Sequence, residues 1–297
     1  MYEATALAPR SFAIVARGYH ELTKPGITLF VGITAAAGYV VSARGAADAW
    51  LLLCVVLATM LMSSGAATLN QVIECQRDAR MQRTVRRPIP AGIISARSAT
   101  RFGWGLSCAG ALLATLTLPL PVLIFLLACH ASYLYLYTPL KPRTPHCTLA
   151  GAIPGALPVL AGSAATGALP DAAALALAGL LFTWQIPHFM AIGWLMREDY
   201  ARAGFAMLPV LDQSGARTAR VSLLYAVATM GFAVLVTRAV DVGVAALSVV
   251  HTAAMLYMFA TVPFMRARTN AQARRLFFAS LMVLPVMMAA LMLGLVF

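Results

Sequence analysis

The sequence predicts an all-α membrane protein, a bundle of nine transmembrane helices in two four-helix halves plus a ninth helix. Three observations carry that expectation. The 297 residues are 61% hydrophobic and only 11% charged, with a mean hydropathy of +0.82, whereas soluble domains carry about 25% charged residues. Too little polar surface is left to face water. Apolar runs near the roughly 20 residues that span a bilayer recur along the chain. Finally, the basic residues fall almost entirely on alternate connections. No hydrophilic stretch is long enough for a separate soluble domain, so residues 1–297 are expected to form one transmembrane unit, with 1–24 as a cytoplasmic N-terminal segment. Its longest apolar run, "FAIVA", is too short for a signal-peptide core.

Spans are expected at 26–43, 49–69, 99–118, 121–138, 148–168, 172–196, 218–237, 241–263 and 276–297. The first two and the last are plain apolar runs. The third begins just after Arg97, and the fourth ends at the proline-rich "YTPLKPRTPH". The fifth contains "GAIPGALPVLAG", whose prolines and glycines predict a kink or local unwinding packed against protein. Gly151 and Gly155 there form a small-xxx-small pair suited to close helix packing. The sixth carries Pro187 within "TWQIPHFMAIGW", and the seventh and eighth are joined by a short connection holding Arg238.

Nine spans place the termini on opposite sides. With the N-terminus inside, every lysine and arginine from Arg10 to Arg275 except Arg44 and Arg238 lies on or next to a cytoplasmic segment, as the positive-inside rule requires. The formal charge of +12 is therefore mostly a topology signal and asks for no nucleic acid. The five cysteines are scattered, with no CxxC pair, which argues against a disulfide framework, a zinc site or covalent haem attachment.

The most informative stretch is "NQVIECQRDARMQRTVRRPIP", residues 70–90, at the cytoplasmic end of the second span. Asn70, Glu74 and Asp78 are spaced i, i+4, i+8, so on a helix they stand in one ragged column. Two carboxylates and an amide suit a hard cation such as Mg²⁺, which takes oxygen ligands and substrate phosphates. Arg77, Arg80, Arg83, Arg86 and Arg87 follow at once, and arginines beside a cation equip a site for a diphosphate. Carboxylates at a membrane helix end are costly and tend to be functional. Glu198 and Asp199 form a second acidic patch four spans later, again at a cytoplasmic end. That repeat is the basis for expecting two similar halves. Asp199 and Arg202 share a face at i, i+3. Lys141 and Arg143 sit between prolines on a third cytoplasmic loop, within reach of the same phosphates.

These residues resemble a known family. "NQVIECQRDARMQRTVRRP" is similar to the first aspartate-rich motif of the UbiA-type intramembrane prenyltransferases, in their haem O synthase (protohaem IX farnesyltransferase) branch. "YTPLKPRT", "TWQIPHFMAIGW" and "REDYARAGFAMLP" resemble further signatures of that branch, in the same order. The likeness covers roughly residues 20 to 297. Glu74 stands where many members have Asp, and Gln76 where some have another Asp, which leaves the number of Mg²⁺ ions open.

The resemblance implies a UbiA-type nine-helix bundle around a cavity that opens toward the membrane. The reaction it implies is transfer of a farnesyl group from farnesyl diphosphate to a vinyl group of haem b with addition of water. The products are haem O and pyrophosphate; the alternative is another aromatic or tetrapyrrole acceptor. Asn70, Glu74, Asp78 and Asp199 would hold Mg²⁺, and Arg77, Arg83, Arg87, Lys141 and Arg143 would bind the diphosphate. Tyr133 and Tyr137, together with Phe189, would shield the allylic cation by cation–π attraction. His188, with Trp184 nearby, is the candidate haem contact, since imidazole is a standard haem ligand and histidines inside membrane helices are functional suspects. His130 is a second candidate with no motif around it. The expected partners are the two substrates, the lipid bilayer and, downstream, haem A synthase or a terminal oxidase under assembly. The expected location is a bacterial inner membrane. A secondary transporter, the main rival from another class, would place its ionisable residues near the bilayer midplane; here they sit at the cytoplasmic ends.

Overall fold

The computed structural model describes residues 11–296; Arg10 and the rest of the first ten residues lie outside it, as does Phe297. The long helices run in chain order as α1 Phe12–Leu22, α2 Pro25–Ala43, α3 Ala49–Ile73, α4 Ala96–Thr117 and α5 Leu120–Leu140, then α6 Cys147–Ala164, α7 Ala172–Leu195, α8 Ala216–Ala239, α9 Val244–Ala267 and α10 Asn270–Val296. Helices α2 to α10 match the nine expected spans in order. Among the described residues eight helices are long and apolar enough to cross a membrane, the first of them taking in both α1 and α2. The remaining one, α4, has 22 residues, but Arg97 and Arg101 and several small or polar residues dilute its apolar character.

Acidic and hydroxyl caps set several helix starts. Asp48 accepts from the N–H groups of Trp50 and Leu51 at α3, Ser95 from Ser98 at α4, and Asp171 from Ala174 at α7. Asp171 also pairs with Arg44 at 3.1 Å. Two of the three acids outside the cytoplasmic set are thus helix caps.

Two large clusters dominate the apolar interior, beside three smaller ones. One cluster joins α2 through α6, with Tyr39, Val55, Ala58, Met62 and Leu126 at its centre. A larger one joins α2, α6 and α7 to α10, around Leu177, Leu180, Tyr257, Leu284 and Met287. Helices α2 and α6 contribute to both clusters and lie against each other. Their backbones meet where side chains are missing: a Cβ on Gly38 would stand 2.0 Å from the Val159 carbonyl oxygen, and one on Gly162 would stand 1.9 Å from that of Ala35.

Several expectations need correction. The N-terminal segment carries α1, an amphipathic helix that buries Gly18 and Leu22 and exposes Phe12 and Ile14. The fifth span is an unbroken helix despite Pro154 and Pro158, and it ends at Ala164 rather than 168. Its Gly151–Gly155 pair makes room for side chains, the Tyr137 ring and the Gln185 amide, rather than for a neighbouring backbone. The irregular stretch lies instead in the fourth span, where Ser132–Tyr137 is π-helical. Such a bulge is often a functional feature, and nothing in the sequence marks this one. The tenth helix starts at Asn270, a turn and a half before 276, because its first turns cross the interface carrying Arg274 and Arg275.

Gly162→Ala is expected to destabilise the bundle. Alanine gains up to about 1 kcal/mol of helix propensity, but overpacking against a rigid backbone costs about 1–3 kcal/mol. Thermal unfolding in detergent should show a lower midpoint for this variant and little change for Gly231→Ala, whose Cβ would meet open space.

Candidate active site

A cavity of about 590 Å³ is walled by α2, α3, α5, α6, α7 and α10 and lies within the size range of ligand sites. Its polar head forms where α3 ends. The helix proper stops at Ile73, and Glu74 leaves α-helical geometry, with φ −92° and ψ 3°. A single turn, Cys75–Asp78, then resumes. The i to i+4 hydrogen bonds continue across this break, from Glu74 N–H to Asn70 O at 2.9 Å and from Asp78 N–H to Glu74 O at 2.8 Å. The expected column therefore survives with a hinge in it, and Asn70, Glu74 and Asp78 all line the cavity while being 1%, 5% and 1% exposed.

Buried carboxylates require partners, and each here has one. Lys141 Nζ lies 2.8 Å from Glu74 Oε1 and donates to Oε2 at 3.0 Å. Arg87 Nη1 donates to Asp78 Oδ2 at 2.7 Å. Burial opposes the Lys141 charge, but the Glu74 carboxylate beside it holds the ammonium above the usual lysine pKa. The ammonium also stands 4.6 Å over the Tyr137 ring. Asn70 is held from three sides. Its Oδ1 accepts from Lys24 Nζ at 3.2 Å and from the Tyr133 hydroxyl at 3.3 Å, and its Nδ2 donates to Thr138 Oγ1 at 3.0 Å.

Asp78 Oδ1 remains buried without a hydrogen-bond partner, and Glu74 Oε1 meets only the Lys141 ammonium. Their chemistry and position fit a hard divalent cation, although among the described residues no cluster of three His, Cys, Asp or Glu could hold a metal by itself. Four cations, Lys24, Arg83, Arg87 and Lys141, line the cavity against the two carboxylates, a formal excess of two positive charges. The head is thus built for an anion.

Not every candidate reaches the cavity. Asp199 is not among its lining residues. Its carboxylate accepts from the N–H groups of Gln82 at 3.2 Å and Arg83 at 3.3 Å, and pairs with Arg202. It anchors the arginine loop from behind, because the second acidic patch packs onto that loop rather than onto the carboxylate column. Arg77 lies over the Phe205 ring at 5.9 Å, outside the lining. Arg143 is exposed and also outside it, since its loop turns so that Lys141 points inward. Sequence reasoning missed Lys24, which was counted only as a topology signal, and also Phe30, Gln185, Tyr200, Phe205 and Ser280. A signal for Lys24 was its place before Pro25 in "TKPG", a forced turn at a helix start.

Beyond the head the cavity is apolar and aromatic. Tyr133 and Tyr137 line it with ring centroids 5.7 Å apart, and Trp184, His188 and Phe189 line it from α7. His188 lies between Trp184 at 5.3 Å and Phe277 at 5.0 Å, and its Nδ1 is 2.8 Å from Ser280 Oγ. Trp184 Nε1 donates to the Ser280 carbonyl at 3.0 Å, and the Tyr257 hydroxyl donates to the Trp184 carbonyl at 2.9 Å, one turn before Pro187. The histidine is thereby fixed in orientation.

Fold and site together define an intramembrane prenyltransferase. Residues 31–283 match the model of the UbiA prenyltransferase family, and the chain belongs to that family. Among curated relatives, "Protoheme IX farnesyltransferase" of Salinibacter ruber is 38% identical over 92% of this chain and 97% of its own length. The protein of the same name from Opitutus terrae is 40% identical over 94% and 95%. Among solved structures, a digeranylgeranylglyceryl phosphate synthase superposes with TM-score 0.78 at 17% identity, covering 95% of this chain and 99% of that one. A UbiA homologue from Archaeoglobus fulgidus bound to GPP and Mg²⁺ superposes with TM-score 0.71 at 17% identity, covering 92% and 99%. The protein is a multi-pass membrane enzyme of this fold.

Two outcomes test the site's construction. Lys141→Met strands the Glu74 charge and is expected to cost about 3 kcal/mol of stability; adding Glu74→Gln should recover most of it in denaturation curves. Asp199→Asn should speed amide exchange at Gln82 and Arg83, read by hydrogen-exchange mass spectrometry, while leaving the protection of α3 unchanged.

Proposed function

We propose that this chain transfers the farnesyl group of farnesyl diphosphate to a vinyl group of haem b with addition of water, releasing haem O and pyrophosphate. The observation that carries this reading is a single cavity with a cation-rich, carboxylate-bearing head and an aromatic body that presents an oriented histidine. The head selects a diphosphate. The acceptor follows from the relatives, which are named protoheme IX farnesyltransferases across nearly the whole chain.

Asn70, Glu74 and Asp78 would hold Mg²⁺, in keeping with the buried Asp78 Oδ1 that lacks a hydrogen-bond partner. Bound there, the ion supplies charge neutralisation for the departing pyrophosphate. Lys24, Arg83, Arg87 and Lys141 bind the phosphate oxygens and stabilise negative charge as the allylic C–O bond breaks. Arg83 is carried on the loop that Asp199 anchors, so Asp199 acts through that loop. Tyr133, Tyr137 and Phe189 present ring faces to the allylic cation and keep water from it. The vinyl carbon then bonds to C1 of the farnesyl chain, and water adds at the adjacent carbon with loss of a proton. Trp184 and His188 position the macrocycle. The head lies at the cytoplasmic face of a bacterial inner membrane, with the N-terminus on that side, as the distribution of arginines implies. Haem O passes to haem A synthase or to a terminal oxidase under assembly.

Mass spectrometry of haem extracted after incubation with farnesyl diphosphate and Mg²⁺ tests the reading. The expected product carries a hydroxyethylfarnesyl group. Unmodified haem alongside released pyrophosphate would point to another acceptor. Asp78→Ala should lower turnover roughly a hundredfold, the effect of losing about 3 kcal/mol of transition-state stabilisation, and chelation with EDTA should stop pyrophosphate release.

A further inference from the structure

Gln185 is a polar side chain of the cavity wall that the mechanism above leaves without a task. It is 7% exposed and lines the cavity from α7. Its Nε2 donates to the Leu181 carbonyl at 2.9 Å and to the Ala152 carbonyl at 3.4 Å. Only an NH₂ group can meet two carbonyl oxygens, so the amide is held one way round with both donors spent. Its Oε1 lies in the notch at Gly155, where a Cβ would stand 1.9 Å from it. That oxygen has no hydrogen-bond partner, yet it is not sealed in as Thr59 Oγ1 is. A buried carbonyl oxygen left unpaired is costly, and this one calls for a donor from whatever the cavity holds.

His188 supplies a second acceptor beside it. The α7 residues on the cavity are Leu181, Trp184, Gln185, His188 and Phe189. At about 100° per residue they form one stripe, with Gln185 and His188 neighbours at its middle, spaced i, i+3. The Ser280 hydroxyl donates its single proton to the Phe277 carbonyl at 2.5 Å, so toward His188 it can only accept. In the neutral ring Nδ1 therefore carries the proton and Nε2 is a bare lone pair. Nε2 too is unpartnered and not sealed in. Two neighbouring acceptors match the two O–H groups of one water molecule.

Depth decides what such a water can do. The Tyr137 ring packs on Gly151 and the Gln185 amide on Gly155, so along α6 the amide lies four residues, about 6 Å, further from the head than the ring. The Tyr137 ring in turn carries the Lys141 ammonium of the head at 4.6 Å. On the reading above, the allylic cation is shielded at the level of the tyrosines. The carbon that becomes cationic after the vinyl group has attacked lies two bonds further in. A water at Gln185 is held away from the first cation and close to the second.

We propose that Gln185 and His188 hold the water consumed in the reaction. This deepens the haem-acceptor reading and rests on it. The allylic C–O bond breaks and pyrophosphate leaves with the electron pair. The vinyl π electrons form the bond to C1, which leaves the carbon next to the macrocycle cationic. The water directs one O–H to Gln185 Oε1 and the other to His188 Nε2, so its lone pair is aimed at that carbon. The new C–O bond forms and one water proton passes to Nε2. The resulting imidazolium is stacked with Trp184 and Phe277, at 5.3 and 5.0 Å, and aromatic faces favour a cation there.

Liquid chromatography with mass spectrometry, applied to haem extracted from the full-length protein after incubation with haem b, farnesyl diphosphate and Mg²⁺, tests the water site. The wild type should give the hydrated product. Gln185→Leu should still join farnesyl to haem, but the second cation should discharge by losing a proton from the neighbouring CH₂, giving a product lighter by one water. The ratio of hydrated to dehydrated product should fall roughly tenfold, the effect of one lost hydrogen bond. Gly155→Ala keeps the amide but crowds Oε1 out of its notch, and should shift the ratio the same way. A wild-type ratio in both variants overturns the proposal. So does a Gln185→Leu chain that unfolds at the wild-type temperature in detergent yet forms no farnesylated haem, since Gln185 would then serve transfer rather than hydration. Should Gln185→Leu fail to fold, Gly155→Ala decides alone: a shifted ratio supports the water site and an unchanged one overturns it. A wild type that leaves haem unmodified removes the acceptor reading itself, and this proposal with it.

Discussion

Two ion pairs at the top of the cavity, Lys141 with Glu74 and Arg87 with Asp78, hold the rest of the site in place. A carboxylate buried at a membrane helix end is unstable without a partner, so these contacts dictate which segments converge. Lys141 brings the end of α5 onto the end of α3, and Arg87 folds the loop after Asp78 back over the carboxylates. Lys24, in left-handed geometry before Pro25, closes the third side by reaching Asn70. A site stabilised in this way already has its cations around the place where phosphate charge would appear, so little reorganisation is left for the reaction itself.

The cavity exists because other contacts are unusually close. Glycines let α2 and α6 touch backbone to backbone at Gly38 and Gly162, which fixes one wall. Gly151 and Gly155, also on α6, give space to Tyr137 and Gln185, side chains that belong to the cavity lining. One glycine-rich helix thus serves both packing and site shape. Its two prolines do not break it, because neighbouring helices surround it on several sides and bury most of its residues.

The second acidic patch plays a different part from the first. Asn70, Glu74 and Asp78 face the cavity, while Asp199 faces the loop that carries Arg83. The two patches are coupled by a pair of hydrogen bonds from the backbone N–H groups of Gln82 and Arg83 to the Asp199 carboxylate. The arginine loop gains a fixed path, and Arg83 gains a defined direction into the cavity.

Much of the architecture was legible from the amino acids alone. Span number and order follow from apolar runs, since a bilayer leaves a helix no other way to satisfy its backbone. The column at Asn70, Glu74 and Asp78 follows from helical spacing and from the cost of charge near a membrane. Facing aromatic residues such as Tyr133 and Tyr137 also followed from spacing. Tertiary structure alone decided which cations turn inward: Lys24 and Arg83 do, whereas Arg77 and Arg143 do not, and one-dimensional spacing cannot distinguish them. It also decided that Asp199 grips a loop and that Ser280, from a distant helix, orients His188. The π-helical stretch in α5 and the unbroken course of α6 were likewise settled by packing. Local sequence sets which groups are costly to bury; only the assembled bundle determines which partners meet that cost.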